Sequence, residues 1–504
     1  MDRRFVFAML YLCFAITMAP AMADDGMTVA QIREHIRIAE GPPLANYRET
    51  GDTVLPATRK HAVIAYLQDD YRETVTEGPV TTSSGEYHEK RWHQNANGEL
   101  LPDAPDPTNA EGGIVVTTSR RITEPIDGYL LSSLDPLGRG TKRYVAAGSW
   151  NVVREDRIRA ATTTITTYDD FRKVAGHTFA FHVTSKDGRP EDDEDVRLAD
   201  VSVGGVTDAD VTIPMPSRQL VEFPAGKTVV QLPAREDHGK FVVRVQIGGR
   251  GLDMLIDSGA SGIILEEGVA QELGLAKFGT ETNDYNAGSF QESSAIVPLM
   301  RVGDLTMKNV VVSTAPKIDE PSDMRDFRIV GLLGFDFIDA MALKLDYYDG
   351  TATAFAPGAF VPPATGDGFA TDLRLGDGAP LVSLDVNGAT GDRFLIDTGG
   401  YGSLLFFDRF ARRHPAAMRD EGGGGEYKRN IRLLGIGGEV ATKPYQFARV
   451  ALGGVTFHDY LGFLITQRGA YDDGTDGALG PDLLHLFDLT FDYANSKAYF
   501  YFHQ

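Results

Sequence analysis

The feature that most constrains this chain is that its C-terminal half is written twice. Phe241-Val242-Val243-Arg244-Val245-Gln246-Ile247-Gly248-Gly249 leads through a second apolar stretch to Leu255-Ile256-Asp257-Ser258-Gly259, and Leu381-Val382-Ser383-Leu384-Asp385-Val386-Asn387-Gly388 leads in the same way to Leu395-Ile396-Asp397-Thr398-Gly399. Further on, Gly331-Leu332-Leu333-Gly334-Phe335-Asp336 is matched by Gly477-Ala478-Leu479-Gly480-Pro481-Asp482, and Leu345-Asp346-Tyr347 by Phe491-Asp492-Tyr493. Such internal similarity predicts two lobes of one fold, each roughly 130 residues, spanning 226–357 and 366–504. The alternating apolar runs predict strands, so both lobes are expected to be all-β. Ala356-Pro357-Gly358 to Pro362-Pro363 reads as a short stiff linker between them, and Gly422-Gly423-Gly424-Gly425 accounts for the greater length of the second copy between its motifs.

A single Asp-Ser-Gly or Asp-Thr-Gly carries little information, because acidic turns before glycine are common. Two of them at the same place in two copies of one unit carry much more. Each Asp ends an apolar strand, and the glycine two residues later allows a tight turn that projects the carboxylate. If the copies pack about a pseudo-two-fold axis, equivalent positions meet there, which brings Asp257 and Asp397 together. Two adjacent carboxylates do not both ionise readily, so the pair holds one proton over a wide pH range. The ionised member can take a proton from a water while the protonated member donates to a carbonyl, which is peptide hydrolysis without metal, thiol or serine nucleophile.

On these residues, 230–504 resembles two fused retropepsin-like aspartic peptidase lobes of the bacterial kind. The pattern is an apolar pair, Asp-[Ser/Thr]-Gly, a small residue, and later two apolar residues and Gly; Leu332-Leu333-Gly334 and Ala478-Leu479-Gly480 supply the last part. The resemblance implies that Asp257 and Asp397 are catalytic and that Ser258 and Thr398 tie the two active-site loops together, with Gly259, Ser261 and Gly399 supporting those loops. It also implies a mobile β-hairpin flap. Candidates for its tip are Tyr285-Asn286-Ala287-Gly288-Ser289 in the first copy and Leu434-Gly435-Ile436-Gly437-Gly438 in the second. The second copy departs from the pattern at Tyr401, which stands where the first has Ser261, a residue able to hydrogen-bond the outer oxygen of its Asp.

Other chemistries find little support. Gly259-Ala260-Ser261-Gly262 is not a nucleophile elbow, no His-Glu-x-x-His occurs, and Gly435-Ile436-Gly437-Gly438 lacks the last glycine of a dinucleotide loop. Asp472-Asp473-Gly474-Thr475-Asp476-Gly477 has the wrong spacing for a calcium loop and reads as a turn. No metal or cofactor is expected.

The preceding 24–225 reads as a separate antiparallel β-sheet domain of α+β character. A helix is expected over Val29–Ala39 and strands over 113–118 and 161–167, with turns at Asn97-Gly98, Asp127-Gly128 and Asp187-Gly188. Glu86-Tyr87-His88-Glu89-Lys90-Arg91-Trp92 and Asp170-Phe171-Arg172 leading into Phe179-Ala180-Phe181 resemble periplasmic lipoprotein-carrier domains, which implies an apolar concave face for a lipid, a lipoprotein or an extended peptide. The acidic run Glu191-Asp192-Asp193-Glu194-Asp195 reads as a solvated loop.

Ahead of that domain, Arg3 and Arg4, the apolar run Phe5–Ala19 and Ala21-Met22-Ala23 form a secretory signal over 1–23, so a periplasmic or secreted location without a stable membrane anchor is expected. The single cysteine, Cys13, lies inside it, leaving no disulfide to staple the remainder. The formal net charge of −22 argues against nucleic acid as a partner. The reading is therefore an exported, monomeric aspartic endopeptidase acting on peptide or protein. Its alternatives are a non-catalytic peptide-binding protein on the same fold, or a lipid or lipoprotein carrier acting through the N-terminal domain.

Overall fold

The fold is that of a computed structural model describing residues 27–102, 115–135, 138–159, 162–216, 218–285, 288–318, 327–363, 368–376, 378–419, 432–435, 438–466 and 474–502. The expected signal over 1–23 and the Gly422–Gly425 run lie outside these residues. The protein is mainly β and divides into two compact units, one holding Met1–Asn95 and Thr108–Pro214, the other Ala96–Pro107 and Met215–Gln504. The sequence places the change at about 226; in the structure the second unit also takes in Ala96–Pro107 and starts its main span at Met215.

The first unit is one antiparallel sheet made of two meanders. Strands from Lys90–Gln94 back to Asn46–Val54 form one, strands from Val116–Ile122 to Glu194–Val203 form the other, and pairing of Asn46–Val54 with Glu194–Val203 joins them. Burial alternates along Asn46–Val54 and His177–Lys186, so each strand gives one face to a core. Tyr47, Ile64, Tyr66, Phe179, Phe181 and Val183 form that core, with Tyr47 stacked on Tyr66 at 4.4 Å between ring centroids. The helix Val29–Glu40 starts at Thr28 and Gln31, which cap each other reciprocally, and lays Val29 and Ile32 against Tyr129, Leu131, Val145 and Val152.

In the second unit the two lobes share a strand plan. The first has the order Leu305–Ala315, Ile263–Glu266, Ile329–Leu333, Arg250–Ile256, Lys240–Ile247; the second has Val455–Ile465, Leu404–Phe406, Gly477–Leu479, Ala389–Ile396, Ala379–Val386. In both, the strand ending in the Leu-Gly motif runs parallel to the strand ending at the Asp, with Leu255 opposite Leu332 and Leu395 opposite Ala478. A six-stranded sheet joins the lobes at its centre, where Ala342–Asp346 of the first pairs antiparallel with Phe487–Asp492 of the second. One hydrophobic core runs through both, including Phe241, Met254, Ile256 and Leu333 on one side and Phe394, Ile396, Leu479 and Phe491 on the other. Each such side chain contributes about 1.5–3 kcal/mol on burial, and with no cysteine among the described residues packing carries the stability.

Candidate active site

Asp257 follows directly on the strand Arg250–Ile256, and its backbone N–H donates to Leu333 O at 3.0 Å. Asp397 follows Ala389–Ile396, and its N–H donates to Leu479 O at the same 3.0 Å. The parallel motif strand thus sets the height at which each carboxylate leaves its sheet. Each loop then turns back on its own Asp: Gly259 N–H donates to Asp257 Oδ1 at 2.9 Å, and Gly399 N–H to Asp397 Oδ1 at 3.2 Å.

Four buried hydrogen bonds hold the loops to each other. Ser258 Oγ donates to Ile396 O at 2.6 Å and accepts from Thr398 N–H at 3.1 Å; Thr398 Oγ1 donates to Ile256 O at 2.9 Å and accepts from Ser258 N–H at 3.0 Å. Both hydroxyl residues have no exposed surface. Each hydroxyl donates once and accepts once across the lobe boundary, so every polar atom in this dry crossing is satisfied.

This brings the two carboxyl groups into hydrogen-bonding contact with each other. Glycine is required around them, because a Cβ on Gly399 would stand 2.2 Å from Asp257 Cγ, and one on Gly259 would stand 2.8 Å from Asp397 Oδ1. Burial, joined by the neighbouring Asp257 carboxylate, pushes Asp397 up to about 7 against the pull of Lys240 and of the Gly399 and Gly400 amides. Asp257 is raised as well, again by burial, with the Gly259 amide and Lys240 opposing. The pair therefore keeps a proton well above the ordinary carboxylate range.

Ser261 is exposed on the loop after Asp257 and makes no hydrogen bond to that carboxylate, unlike the role its position implied. Tyr401 of the second lobe is partly buried, with the Lys240 Nζ of the first lobe 3.4 Å from its ring centroid. The hairpin candidates are both hairpins. Tyr285 and Gly288 are the last pair of the ladder between Lys277–Tyr285 and Gly288–Val302, and Gly435 pairs with Gly438 between Arg432–Gly435 and Gly438–Leu452. Gly437 lies outside the described residues.

Several residues near the pair carried no signal of their own in the sequence. Lys240 is one, at the first position of an ordinary-looking strand. Tyr347 and Tyr493, visible only as the ends of a repeated triplet, are buried phenols raised above their usual range chiefly by burial, Tyr347 also by Glu236 and Asp397 and Tyr493 by Asp339 and Asp257.

Residues 243–337 match the family model for aspartyl proteases, a span that includes Asp257 and the Leu332-Leu333-Gly334 motif. The match lies within the first lobe and does not extend to Asp397. No curated protein matches the chain at a significant level. Similar solved structures include an aspartic proteinase from Irpex lacteus, 15% identical over 55% of this chain and 98% of that one with a TM-score of 0.34. A LolA superfamily protein from Nitrosomonas europaea is 11% identical over 37% of this chain and 98% of its own, with a TM-score of 0.29. A putative outer membrane lipoprotein-sorting protein domain from Vibrio parahaemolyticus is 8% identical over 36% and 94%, also with a TM-score of 0.29. No helix among the described residues is long and apolar enough to cross a membrane.

Proposed function

We propose that the chain is an exported aspartic endopeptidase that cleaves peptide bonds with a water activated between Asp257 and Asp397. The observation that carries this reading is the hydrogen-bonded carboxyl pair, one member from each lobe, braced by the reciprocal Ser258 and Thr398 bonds. With one proton shared, the ionised carboxylate takes a proton from water as the oxygen attacks the scissile carbonyl, and the protonated carboxyl donates to the carbonyl oxygen. As the tetrahedral intermediate collapses, the carboxyl that took the water's proton gives it to the departing amine, and the other carboxylate takes a proton from the gem-diol hydroxyl as the carbonyl re-forms, so the pair returns to its starting state. Because both carboxyls belong to one chain, the functional unit is a monomer. The first unit serves as an accessory domain that receives a lipid, a lipoprotein or an extended peptide.

The test is cleavage of a denatured protein mixture across pH 4–8 with and without a statine-type inhibitor, which imitates the tetrahedral intermediate. Cleavage that the inhibitor stops is the expected result. Saturable peptide binding without cleavage at any of these pH values would replace the enzyme with a binding protein on the same fold.

A further inference from the structure

The strand Lys240–Ile247 is entered through a tight turn in which Asp237 pairs with Lys240 and both central residues, His238 and Gly239, have positive φ, 53° and 78°. Gly239 abuts the second lobe so closely that a Cβ there would lie 2.9 Å from Pro481 Cβ, next to the Leu479-Gly480 motif. This turn delivers Lys240 into the interior with only 5% of its surface exposed. Its ammonium lies 3.4 Å from the centroid of Tyr401, on the loop that follows Asp397. Phe241, the next residue, is fully buried against Tyr347 at 4.8 Å, which fixes the strand at that point.

We propose that Lys240 is a positioning residue for the carboxyl pair: donated by the first lobe and seated on the ring of Tyr401 in the second, it holds the Asp397 loop and sets a buried positive charge in range of both aspartates. This rests on the peptidase reading for its role in turnover, although the placement of charge stands without it. A buried ammonium is costly unless an aromatic face or opposite charge compensates it; here the Tyr401 ring receives it and its charge acts on both aspartates. The monoprotonated pair carries one negative charge, so Lys240 brings the site to neutrality. Tyr401 is then no defect in the second motif: it supplies the face on which this cation sits.

The direction of the effect follows from the charges around the pair. Lys240 pulls both Asp257 and Asp397 down; Asp257 pushes against ionisation of Asp397, while the hydrogen bond from Asp397 favours ionisation of Asp257. Other ionisable groups near the pair among the described residues include the buried Tyr347 and Tyr493 phenols, with Glu236 and Asp339 beyond them, and the Tyr401 phenol on Lys240. Both buried phenols stay neutral across the working range, so Lys240 is the one cation acting on the pair among these groups. Removing it makes the pair bind its protons more tightly.

The experiment is a carbon-13 carboxyl NMR titration of the full-length protein, with Asp257 and Asp397 assigned through Asp257→Asn and Asp397→Asn, paired with the pH profile of kcat/KM. Lys240→Met should move the titration and both limbs of the profile to higher pH by about one unit, as loss of an adjacent opposite charge does. Lys240→Arg should restore the wild-type position. If Lys240→Met does not fold, Tyr401→Leu, which removes the ring that seats the ammonium, should shift the titration the same way, and Tyr401→Phe should not. A titration that is the same in the wild type and in every variant that folds overturns the proposal. A Lys240-dependent titration in a protein that cleaves nothing overturns the peptidase reading and leaves the charge placement standing.

Discussion

Asp336 and Asp482 stand at the same place in the two lobes, two residues after the glycine of each Leu-Gly motif, yet their surroundings differ completely. Asp336 is 4% exposed and accepts a 2.6 Å hydrogen bond from Asn97 Nδ2; Asp482 is exposed. Asn97 also accepts from Val311 N–H at 2.9 Å and from Arg218 at 2.7 Å, while Arg218 reaches on to Lys308 O and Asn309 O. Beside this network burial pushes Glu99 up to about 11, with Asp336 and Asp339 adding to the effect, so Glu99 stays protonated and shares a hydrogen bond with Asp336. The second lobe has its own buried acid, Asp476, which pairs with Arg409 and accepts from the Asp392 and Arg393 amides. The second lobe is thus braced from within its own span, and the first leans on Asn97, Glu99 and Arg218, which precede it in the chain. Similar backbones do not need similar supports, because a buried carboxylate must be satisfied by whatever donor the chain brings near.

The largest effect should ignore this asymmetry. Asp257→Asn and Asp397→Asn should each lower kcat by at least roughly a thousandfold, and the double variant should be little worse, since members of one catalytic unit are not additive. Steady-state kinetics on one peptide would decide it. An inactive Asp257→Asn beside a nearly normal Asp397→Asn would show that the lobes differ in chemistry as well as in bracing.

Next in size is the bracing itself. Asn97→Ala takes one donor from Asp336, the acceptor from the Val311 amide and one partner from Arg218, and should destabilise the second unit by about 2–4 kcal/mol in chemical denaturation, whereas Asp482→Ala on the exposed counterpart should cost less than about 0.5 kcal/mol. Equal losses would erase the contrast between the lobes. By the same argument a fragment starting at 226, which lacks Asn97, Arg218, Leu220 and Val221, should be far less stable than the intact chain.

A smaller effect concerns pH. Asp397 is raised to about 7 in the folded protein, so its contribution to stability is complete below the ordinary carboxylate value near 3.8 and is lost as pH rises through about 7. Asp397→Asn should therefore be neutral near pH 3 and stabilising at pH 8, read as a rise in Tm at the higher pH only. The smallest effect is expected at Ser261: exposed and without a bond to Asp257, its alanine variant should keep kcat/KM within about threefold. A much larger loss at Ser261 would mean that its hydroxyl engages in the working complex.

Much of the site was readable beforehand because repetition is a signal that survives in one dimension. Asp257 and Asp397 stand at equal places in two copies, and the hydroxyls beside them follow from the same alignment. The strand alternation that places Ile256 and Ile396 inside was equally visible. Asn97, Glu99, Arg218 and Lys240 were not, because nothing local distinguishes a polar residue at a turn that will be buried from one that will be solvated. Asn97 and Asp336 lie 239 positions apart, and no period links them.

The sequence by itself determined the all-β lobes, their number and the two acids, since each follows from local patterning and from its recurrence. Only the tertiary structure decided that Ala96–Pro107 belongs with the second unit, that Ser261 faces outward, and that Lys240 meets Tyr401 across the lobe boundary. Those outcomes depend on which surfaces are covered when separate strands pack. The energies that settle them, desolvation of a charge and satisfaction of a buried donor, exist only once the chain has folded.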